Sequence, residues 1–391
     1  MNILEKILSE IELPETTYEK AKSRYEYIAE WLSRPESGCT LYLPHIGAQG
    51  SFALGTATKP SDEKDAYDLD IFCVLMSQLT TDNRTQKQIK DLIGNELKEY
   101  AKTFNIKSPV DEKRRCWTIE YSDGMSFHID VVPAIPAPAS NRTSMMTLML
   151  ERGVDARIAE DVSSKSIQIT DNKEENFNSI SPDWPISNPE GYAIWFQSQM
   201  RLGQDYLKER ALALRADIDD LPVYRWKTPL QKSIQLLKHH RDLMFSDSES
   251  KPISIIITTL ATSAYKGERD LAAALQNILQ TMESFVNPST PLVPNPTNPR
   301  EDFADKWYSD EHAHLMLKEN FFTWLAQAKA DFGRLNNSRD LKLVQETAAT
   351  ALGVKLLDSV LGINPQAARV VQNSPRQIPN SSAKPWFDKI S

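Results

Sequence analysis

Three aspartates occur in apolar, strand-like segments, where uncompensated charge has no simple structural explanation. Asp68 and Asp70 are separated by one residue in YDLDIFCVL, so in a strand their side chains share one face. Two carboxylates held this close repel each other unless a cation lies between them. Asp130 interrupts a second apolar segment, HIDVV. If the two strands are neighbours, the three carboxylates converge on one point.

A set of carboxylate ligands predicts a hard cation. Oxygen ligands with room for water and phosphate suit Mg²⁺, with Mn²⁺ as a substitute, and do not suit zinc. A pair of Mg²⁺ ions held by these aspartates would activate an attacking hydroxyl and stabilise a leaving pyrophosphate. The pattern therefore predicts an in-line displacement at phosphorus.

A glycine–serine pair upstream of the aspartates is a candidate phosphate contact. Gly50 would let the backbone approach a phosphate closely, and the Ser51 hydroxyl with adjacent amides would hold its oxygens. The surrounding glycines fit neither a Walker P-loop nor a GxGxxG motif. Each element is common by itself, but the order Gly-Ser, Asp-x-Asp and a distant strand aspartate is specific.

Other reactive residue types have simpler structural interpretations. His128 should share a strand face with Asp130, yet a satisfied histidine is the simpler interpretation. Adjacent residues on a helix point in different directions, so His239 and His240 do not predict a metal pair. The three cysteines form no CxxC motif, and they predict neither a disulfide framework nor a structural zinc site.

Hydrophobic periodicity predicts the elements that must position these residues. The first half is mixed, with a helix over 15–34, strands over 41–47 and 67–75, and a helix from about 82 to 103. Two further strands, CWTIEYS and MSFHIDVVPAI, should be joined by a turn at Asp123–Gly124. From about residue 188 helices dominate; the predicted helices cover 189–217, 229–245, 253–265, 268–286, 310–332 and 340–351.

Charge and hydropathy exclude several classes of protein. A net charge of −8 without a basic stripe argues against long nucleic acid as a partner. Two short basic clusters, Lys113–Arg115 and Lys238–Arg241, would suffice for one or two triphosphates. The longest apolar stretch, Ile253–Ala264, is too short to span a bilayer, and no secretory signal is evident. We therefore expect a cytoplasmic protein with no membrane partner.

The sequence resembles the bacterial cGAS/DncV-like nucleotidyltransferases (CD-NTases), relatives of cyclic GMP-AMP synthase and oligoadenylate synthetase. The resemblance extends to about residue 350. It rests on GAQGSFALGTATKP, DLDIF, HIDVVPAI, SNPEGYAIWF, QKSIQLLKHHRD, KPISIIITTLA and NPTNPREDFADKW.

This resemblance implies an α+β fold with a polymerase-β-type nucleotidyltransferase core, a mixed sheet flanked by helices, followed by an α-helical domain. The expected domains are the core over 1–187, the helical domain over 188–363 and a polar, flexible tail over 364–391. The active site is expected in the cleft between the two domains.

The resemblance also implies roles for individual residues. Asp68, Asp70 and Asp130 would be catalytic and would bind two metal ions, with Asp130 helping to deprotonate the attacking hydroxyl. The residues expected to bind the nucleotide substrate are Gln49, Gly50, Ser51, Lys238 and Ser254. An ammonium group, and a hydroxyl beside a helix N-terminus, both suit a triphosphate.

The expected activity is template-independent joining of NTPs into a cyclic di- or trinucleotide second messenger by a monomeric enzyme, with a separate effector protein that reads the product, as in antiphage (CBASS) signalling. Three alternatives remain open. The product is a linear oligonucleotide, the protein is a catalytically silent nucleotide binder, or the nucleotide is transferred to a protein or tRNA.

Overall fold

The computed structural model describes residues 3–60, 66–122, 126–200, 227–245 and 249–357. The strands of its main sheet are β1 Pro44–Gln49, β2 Tyr67–Leu75, β3 Asp111–Glu112, β4 Trp117–Tyr121, β5 Phe127–Pro136, β6 Ile167–Ile169 and β7 Ile186–Ser187. The strand order is β1-β2-β5-β4-β3, and β6 joins β5 to β7. Because β2 and β5 run parallel while β1 and β4 run antiparallel to them, the sheet is mixed.

The helices flank this sheet and then form a second layer. They are α1 Ile3–Ile11, α2 Glu15–Ser33, α3 Gly50–Ala53, α4 Gln86–Thr103, α5 Ala139–Glu151, α6 Ala156–Ser164, α7 described over 189–200, α8 Pro229–Phe245, α9 Ser254–Ala264, α10 Leu271–Thr281, α11 Leu317–Asn337 and α12 Leu341–Leu352. Short 3₁₀ helices occur at 40–42, 282–285, 305–308 and 310–315. The predicted combination of a mixed sheet with flanking helices and a helical region is confirmed.

Strand alternation explains why the aspartates face away from the main core of the sheet. In β2, Leu69, Ile71, Cys73 and Leu75 pack in one hydrophobic cluster with side chains of α2 and α4. Phe72 and Val74, on the other face, belong to a separate small cluster. Successive side chains of a strand point to opposite faces. Asp68 and Asp70 therefore share the face of Phe72, opposite α2 and α4.

Local capping signals set the starts of two helices. Thr85 forms a capping box with Gln88, so α4 begins at Gln86, four residues later than the predicted start. Thr228 and Gln231 exchange the equivalent bonds at the start of α8, where the sequence predicts an N-cap and a proline at the first helical position.

Several elements differ from the prediction. The first strand begins at Pro44 because Thr40–Tyr42 forms a 3₁₀ turn. Helices α5 and α6 were not predicted, and the proline-rich connection contains a small hairpin, β8 Pro294–Asn295 with β9 Asn298–Asp302. The predicted turn at Asp123–Gly124, the second half of the helix over 189–217 and the tail over 364–391 lie outside the described residues.

One hydrophobic core combines residues from the two ends of the described chain. The second and larger core, here called the helical core, contains apolar side chains of α7 to α12 together with Leu4, Ile7, Leu8 and Ile11 of α1. Ion pairs from Lys227 to Glu12 (2.6 Å) and from Lys232 to Glu5 (2.9 Å) bind α1 to the α8 region. The domain boundaries at 187 and 363 stay predictions.

Among the described residues, no helix has the length and hydrophobicity needed to cross a bilayer.

Candidate active site

The two parallel strands bring the three aspartates together. In the register of β2 and β5, Asp70 is the direct partner of Asp130, and Asp68 is the partner of His128. Asp68 and Asp70 are two residues apart on one strand, so all three carboxylates lie on the same face. The strands β2 and β5 are therefore neighbours, as the predicted convergence of the three carboxylates requires.

The charge of Asp130 acts on both Asp68 and Asp70. Burial, followed by the charges of Asp130 and Asp68, raises the pKa of Asp70 to about 6, and Lys238 opposes this rise. Burial and Asp130 also raise the pKa of Asp68, while His128 and Lys251 lower it. The Asp68 side chain is 77% exposed, so water still reaches this carboxylate. Such mutual repulsion favours a bound cation.

Two of the carboxylates have local partners. The Thr118 hydroxyl donates to Asp130 Oδ1 at 2.5 Å, and His128 Nδ1 lies 3.5 Å from Asp68 Oδ1. Within the residues that the structure describes, no three acidic, histidine or cysteine side chains already converge at metal-ligand distances.

The Gly50–Ser51 turn lies against the aspartates. Gln49, the last residue of β1, is the register partner of Asp70, and α3 begins at Gly50. Gly50 has a φ of 63°, and a Cβ added there would lie 2.4 Å from Asp70 Oδ2. Both its conformation and its close approach to a carboxylate thus require glycine. The turn brings the Ser51 backbone to the edge of the aspartate cluster.

Helix α8 supplies a buried cation on the other side of the cleft. Lys238 is 8% exposed, and its Nζ donates to Thr56 O at 3.1 Å. Burial and repulsion by Arg241 lower the pKa of Lys238 to about 8, while Asp242, Asp70 and Asp68 act in the opposite direction. The aspartates are therefore near enough to influence Lys238, as a site in the cleft requires.

Ser254 is the first residue of α9, and its hydroxyl accepts from both terminal nitrogens of Arg241 at 3.2 Å. Arg241 is buried, and it also donates to Pro252 O at 2.6 Å. The structure thus places Ser254 at a helix start beside α8, with its hydroxyl held by a cation.

The arginines of the two basic clusters are largely engaged in the protein itself. Arg114 and Arg115 each pair with the buried Asp171 at 2.9 Å, which lowers the pKa of that carboxyl despite its burial. Arg241 holds the start of α9 as described. Among these basic residues, Lys238 is therefore a better candidate for binding a triphosphate than the arginines are.

The adjacent histidines are packed, as the sequence analysis favoured. His239 Nε2 donates to Leu352 O at 3.0 Å, and His240 Nε2 lies 3.2 Å from Asp331 Oδ2. Both side chains are buried in the helical core region, and burial lowers the pKa of each.

Sequence reasoning missed four residues around the site: Thr118, Gln231, Gln235 and Lys251. Thr118 orients Asp130, and the Lys251 charge reaches Asp68. Strand pairing between β4 and β5 was the one available signal, because it places Thr118 directly opposite Asp130. The glutamines contact backbone carbonyls of a distant loop, for which the sequence carries no signal.

This chain is similar in sequence to known proteins. Residues 44–133, which contain the three aspartates and the Gly50–Ser51 turn, match the family described as cyclic GMP-AMP synthase DncV-like, nucleotidyltransferase domain. The c-di-GMP synthase of Roseivirga ehrenbergii is 30% identical over 310 residues, which cover 78% of this chain and 72% of that protein. The cyclic dinucleotide synthase CdnG of Bradyrhizobium diazoefficiens is 23% identical over 326 residues, which cover 78% of this chain and 69% of that protein.

The fold comparison covers nearly the whole chain. The solved structure of the B. diazoefficiens CD-NTase CdnG in complex with GTP aligns with a TM-score of 0.62 at 18% identity, over 94% of this chain and 98% of that one. This similarity identifies a polymerase-β-type core with an attached helical region. Together with the 30% identical relative, it leads to the conclusion that the chain is a nucleotidyltransferase and belongs to the bacterial cGAS/DncV-like family.

Proposed function

We propose that this nucleotidyltransferase joins two NTPs into a cyclic dinucleotide and releases pyrophosphate at each step. The observation that carries the proposal is the register of β2 and β5, which puts Asp70 opposite Asp130 on the face that the Gly50–Ser51 turn approaches. The names of the two relatives, a c-di-GMP synthase and a cyclic dinucleotide synthase, support a dinucleotide product and GTP as a substrate.

The residues present fit a divalent cation. The donors are carboxylate oxygens on one strand face, and burial together with the charges of Asp130 and Asp68 raises the pKa of Asp70. Asp68, Asp70 and Asp130 would hold two Mg²⁺ ions, or Mn²⁺ in their place. When bound, such ions lower the pKa of the attacking hydroxyl and neutralise charge on the leaving pyrophosphate.

The chain itself positions the reactants. Ser51 and the adjacent backbone amides would hold the donor triphosphate, with Gln49 beside them. Lys238 and Ser254 would contact its phosphates from the helical side, since an ammonium and a hydroxyl are suitable donors to phosphate oxygens. These contacts fix the α-phosphate in line with the attacking oxygen, and such positioning is a major source of catalysis in phosphoryl transfer.

Asp130 would accept the proton of the attacking ribose hydroxyl. The Thr118 hydroxyl, which donates to Asp130 Oδ1, would orient the carboxylate for that transfer. The new P–O bond forms as the bond to pyrophosphate breaks, which yields a linear dinucleotide. A second transfer of the same kind, within that intermediate, closes the ring.

We further propose that the product acts as a second messenger for a separate effector in antiphage (CBASS) signalling. This step rests on the family relationship and not on geometry.

Incubation of the protein with Mg²⁺ and α-³²P-labelled NTPs tests the proposal. Phosphatase-resistant product should form, and single-NTP omission should identify GTP as required. Asp70→Asn and Asp130→Asn should each abolish the product, whereas Asp310→Asn, an exposed aspartate in a 3₁₀ turn of the helical region, should not. A linear product would lose its terminal phosphates to phosphatase but keep its internal labelled phosphodiester, and it would then migrate with a linear rather than a cyclic dinucleotide standard. Label that stays on protein or tRNA would contradict the proposal outright.

A further inference from the structure

Three hydrogen bonds connect α8 to the loop that follows the Gly50–Ser51 turn. This loop, residues 54–57, is here called the carbonyl loop, because its backbone carbonyls accept all three bonds. The bonds run from Gln231 Nε2 to Leu54 O (2.9 Å), from Gln235 Nε2 to Ala57 O (2.7 Å) and from Lys238 Nζ to Thr56 O (3.1 Å).

The three donors lie on one face of α8 and are buried. Positions 231, 235 and 238 are separated by four and three residues, which places their side chains above one another on a helix. Gln231 is 1% exposed and Gln235 is fully buried. Apolar side chains would pack at such positions without the desolvation cost of an amide. The use of two glutamines therefore indicates that the bonds to the carbonyl loop are needed.

The carbonyl loop in turn holds the Gly50–Ser51 turn. Its backbone amides donate back to the carbonyls of α3. The bonds run from Leu54 N to Gly50 O (3.2 Å), from Gly55 N to Phe52 O (3.1 Å) and from Thr56 N to Ser51 O (2.9 Å). Backbone bonds thus connect the turn to the loop, and side chains of α8 connect the loop to the helical core.

Glycine at position 55 permits this close approach. Gly55 has a φ of 65°, and a Cβ added there would lie 2.5 Å from Gln231 Nε2. Any other residue would strain the positive φ and would displace the Gln231 amide from Leu54 O.

We propose that Gln231 and Gln235 are positioning residues for the donor triphosphate. They hold the Gly50–Ser51 turn at a fixed position relative to Lys238. The turn, from the core, and Lys238, from the helical domain, can then bind the same triphosphate. The inference rests on the proposed function, in which the turn and Lys238 bind the same triphosphate. Neither glutamine is assigned a contact with the nucleotide itself.

Two substitutions remove the donors while preserving shape. Gln231→Met removes the donor to Leu54 O and also the oxygen that accepts from Thr228 in the capping box. Gln235→Met is nearly isosteric, and the Oε1 that it removes has no hydrogen-bond partner within the described part of the chain. The matched control is Gln345→Met, which removes a similar bond to a backbone carbonyl, that of Leu356 in the helical domain.

Each test variant should raise KM for GTP about fivefold, the effect of one lost hydrogen bond, with kcat little changed. The melting temperature should stay near normal in Gln235→Met and should fall in Gln231→Met, which also loses its helix cap. Amides of residues 50–57 should exchange with deuterium faster than in the wild type. Gln345→Met should leave both readouts unchanged.

Wild-type KM and wild-type exchange in both test variants would overturn the proposal, and so would a lower melting temperature with unchanged KM. If the wild-type protein formed no product, the proposed function would fail separately. Affinity for a non-hydrolysable GTP analogue and amide exchange would then still decide the positioning role.

Discussion

At the scale of single residues, the contact between Gly50 and Asp70 is the most restrictive feature of the site. A side chain at Gly50 faces two separate penalties, a positive φ and a Cβ 2.4 Å from a carboxylate oxygen. The described residues offer a natural comparison in Gly153, which has a φ of 79° and nothing within 4 Å of an added Cβ.

We expect Gly50→Ala to lower kcat/KM about a hundredfold, because displacement of Asp70 by a fraction of an ångström misaligns the reacting groups. Gly153→Ala should cost about 1 kcal/mol of unfolding free energy through backbone strain, with normal activity. Steady-state kinetics and urea unfolding of both variants separate the two effects. Equal activity in the two variants would contradict the assigned role of Gly50.

The sequence predicts the residues on adjacent strands better than the residues that support them. Strand alternation and spacing suffice to bring Asp68, Asp70 and Asp130 to one face. Gln231 is different, because its partner Leu54 is 177 residues away in sequence. A glutamine on a helix is usually solvated, and only the tertiary fold shows that this one is buried.

At the scale of elements, α8 combines a donor face toward the carbonyl loop with two buried histidines on other sides. Burial is the main cause that lowers the pKa of His239 and His240 below the usual 6.5. Each is therefore neutral in the folded protein at a pH where it would take up a proton in the unfolded chain.

Stability should consequently fall as the pH decreases below about 6.5, because the unfolded state then binds more protons than the folded state. Each histidine contributes up to about 1.4 kcal/mol per pH unit in the window between its folded pKa and 6.5. His239→Gln keeps a donor for Leu352 O and removes one titrating group. Urea unfolding at about pH 7.5 and about pH 5.5 should show a weaker pH dependence in this variant. An unchanged dependence would contradict the prediction.

The bounds of a helix or strand can be predicted from the sequence where its buried apolar residues recur at regular spacing. The predicted strand over 67–75 and the helix over 229–245 have the observed bounds. Helix α5 was missed because it buries only Met145 and Met149, which is too few residues for a periodic signal. The three-residue strand β6 depends on pairing with β5 and β7, which local sequence does not encode.

At the scale of the whole molecule, α1 belongs to the helical core although it precedes the sheet in the chain. Ile7 is fully buried there, and α1 packs against α8, α10 and α11. The apolar residues of α1 recur at helical spacing, but this pattern does not say which core receives the helix. The combination of a mixed sheet with a helical region could be predicted from the sequence. The packing of α1 in the helical core could not.

We expect Ile7→Ala to lower the unfolding free energy by about 3 kcal/mol, because it leaves a cavity in the helical core. Ile180→Ala, at a side chain that is 53% exposed, should cost less than about 0.5 kcal/mol. Thermal unfolding monitored by calorimetry compares them. Similar melting temperatures for the two variants would show that α1 contributes little to the core.

The large sequence separation between α1 and the rest of the helical core also matters while the protein is being synthesised. Glu12 leaves the ribosome 215 residues before its ion-pair partner Lys227. At usual translation rates that interval lasts roughly 10 to 40 s. Throughout it, the apolar face of α1 has no helical core to cover it, and the nascent chain exposes this short amphipathic segment to solvent. The exposure ends when the last helices emerge and the helical core closes over α1.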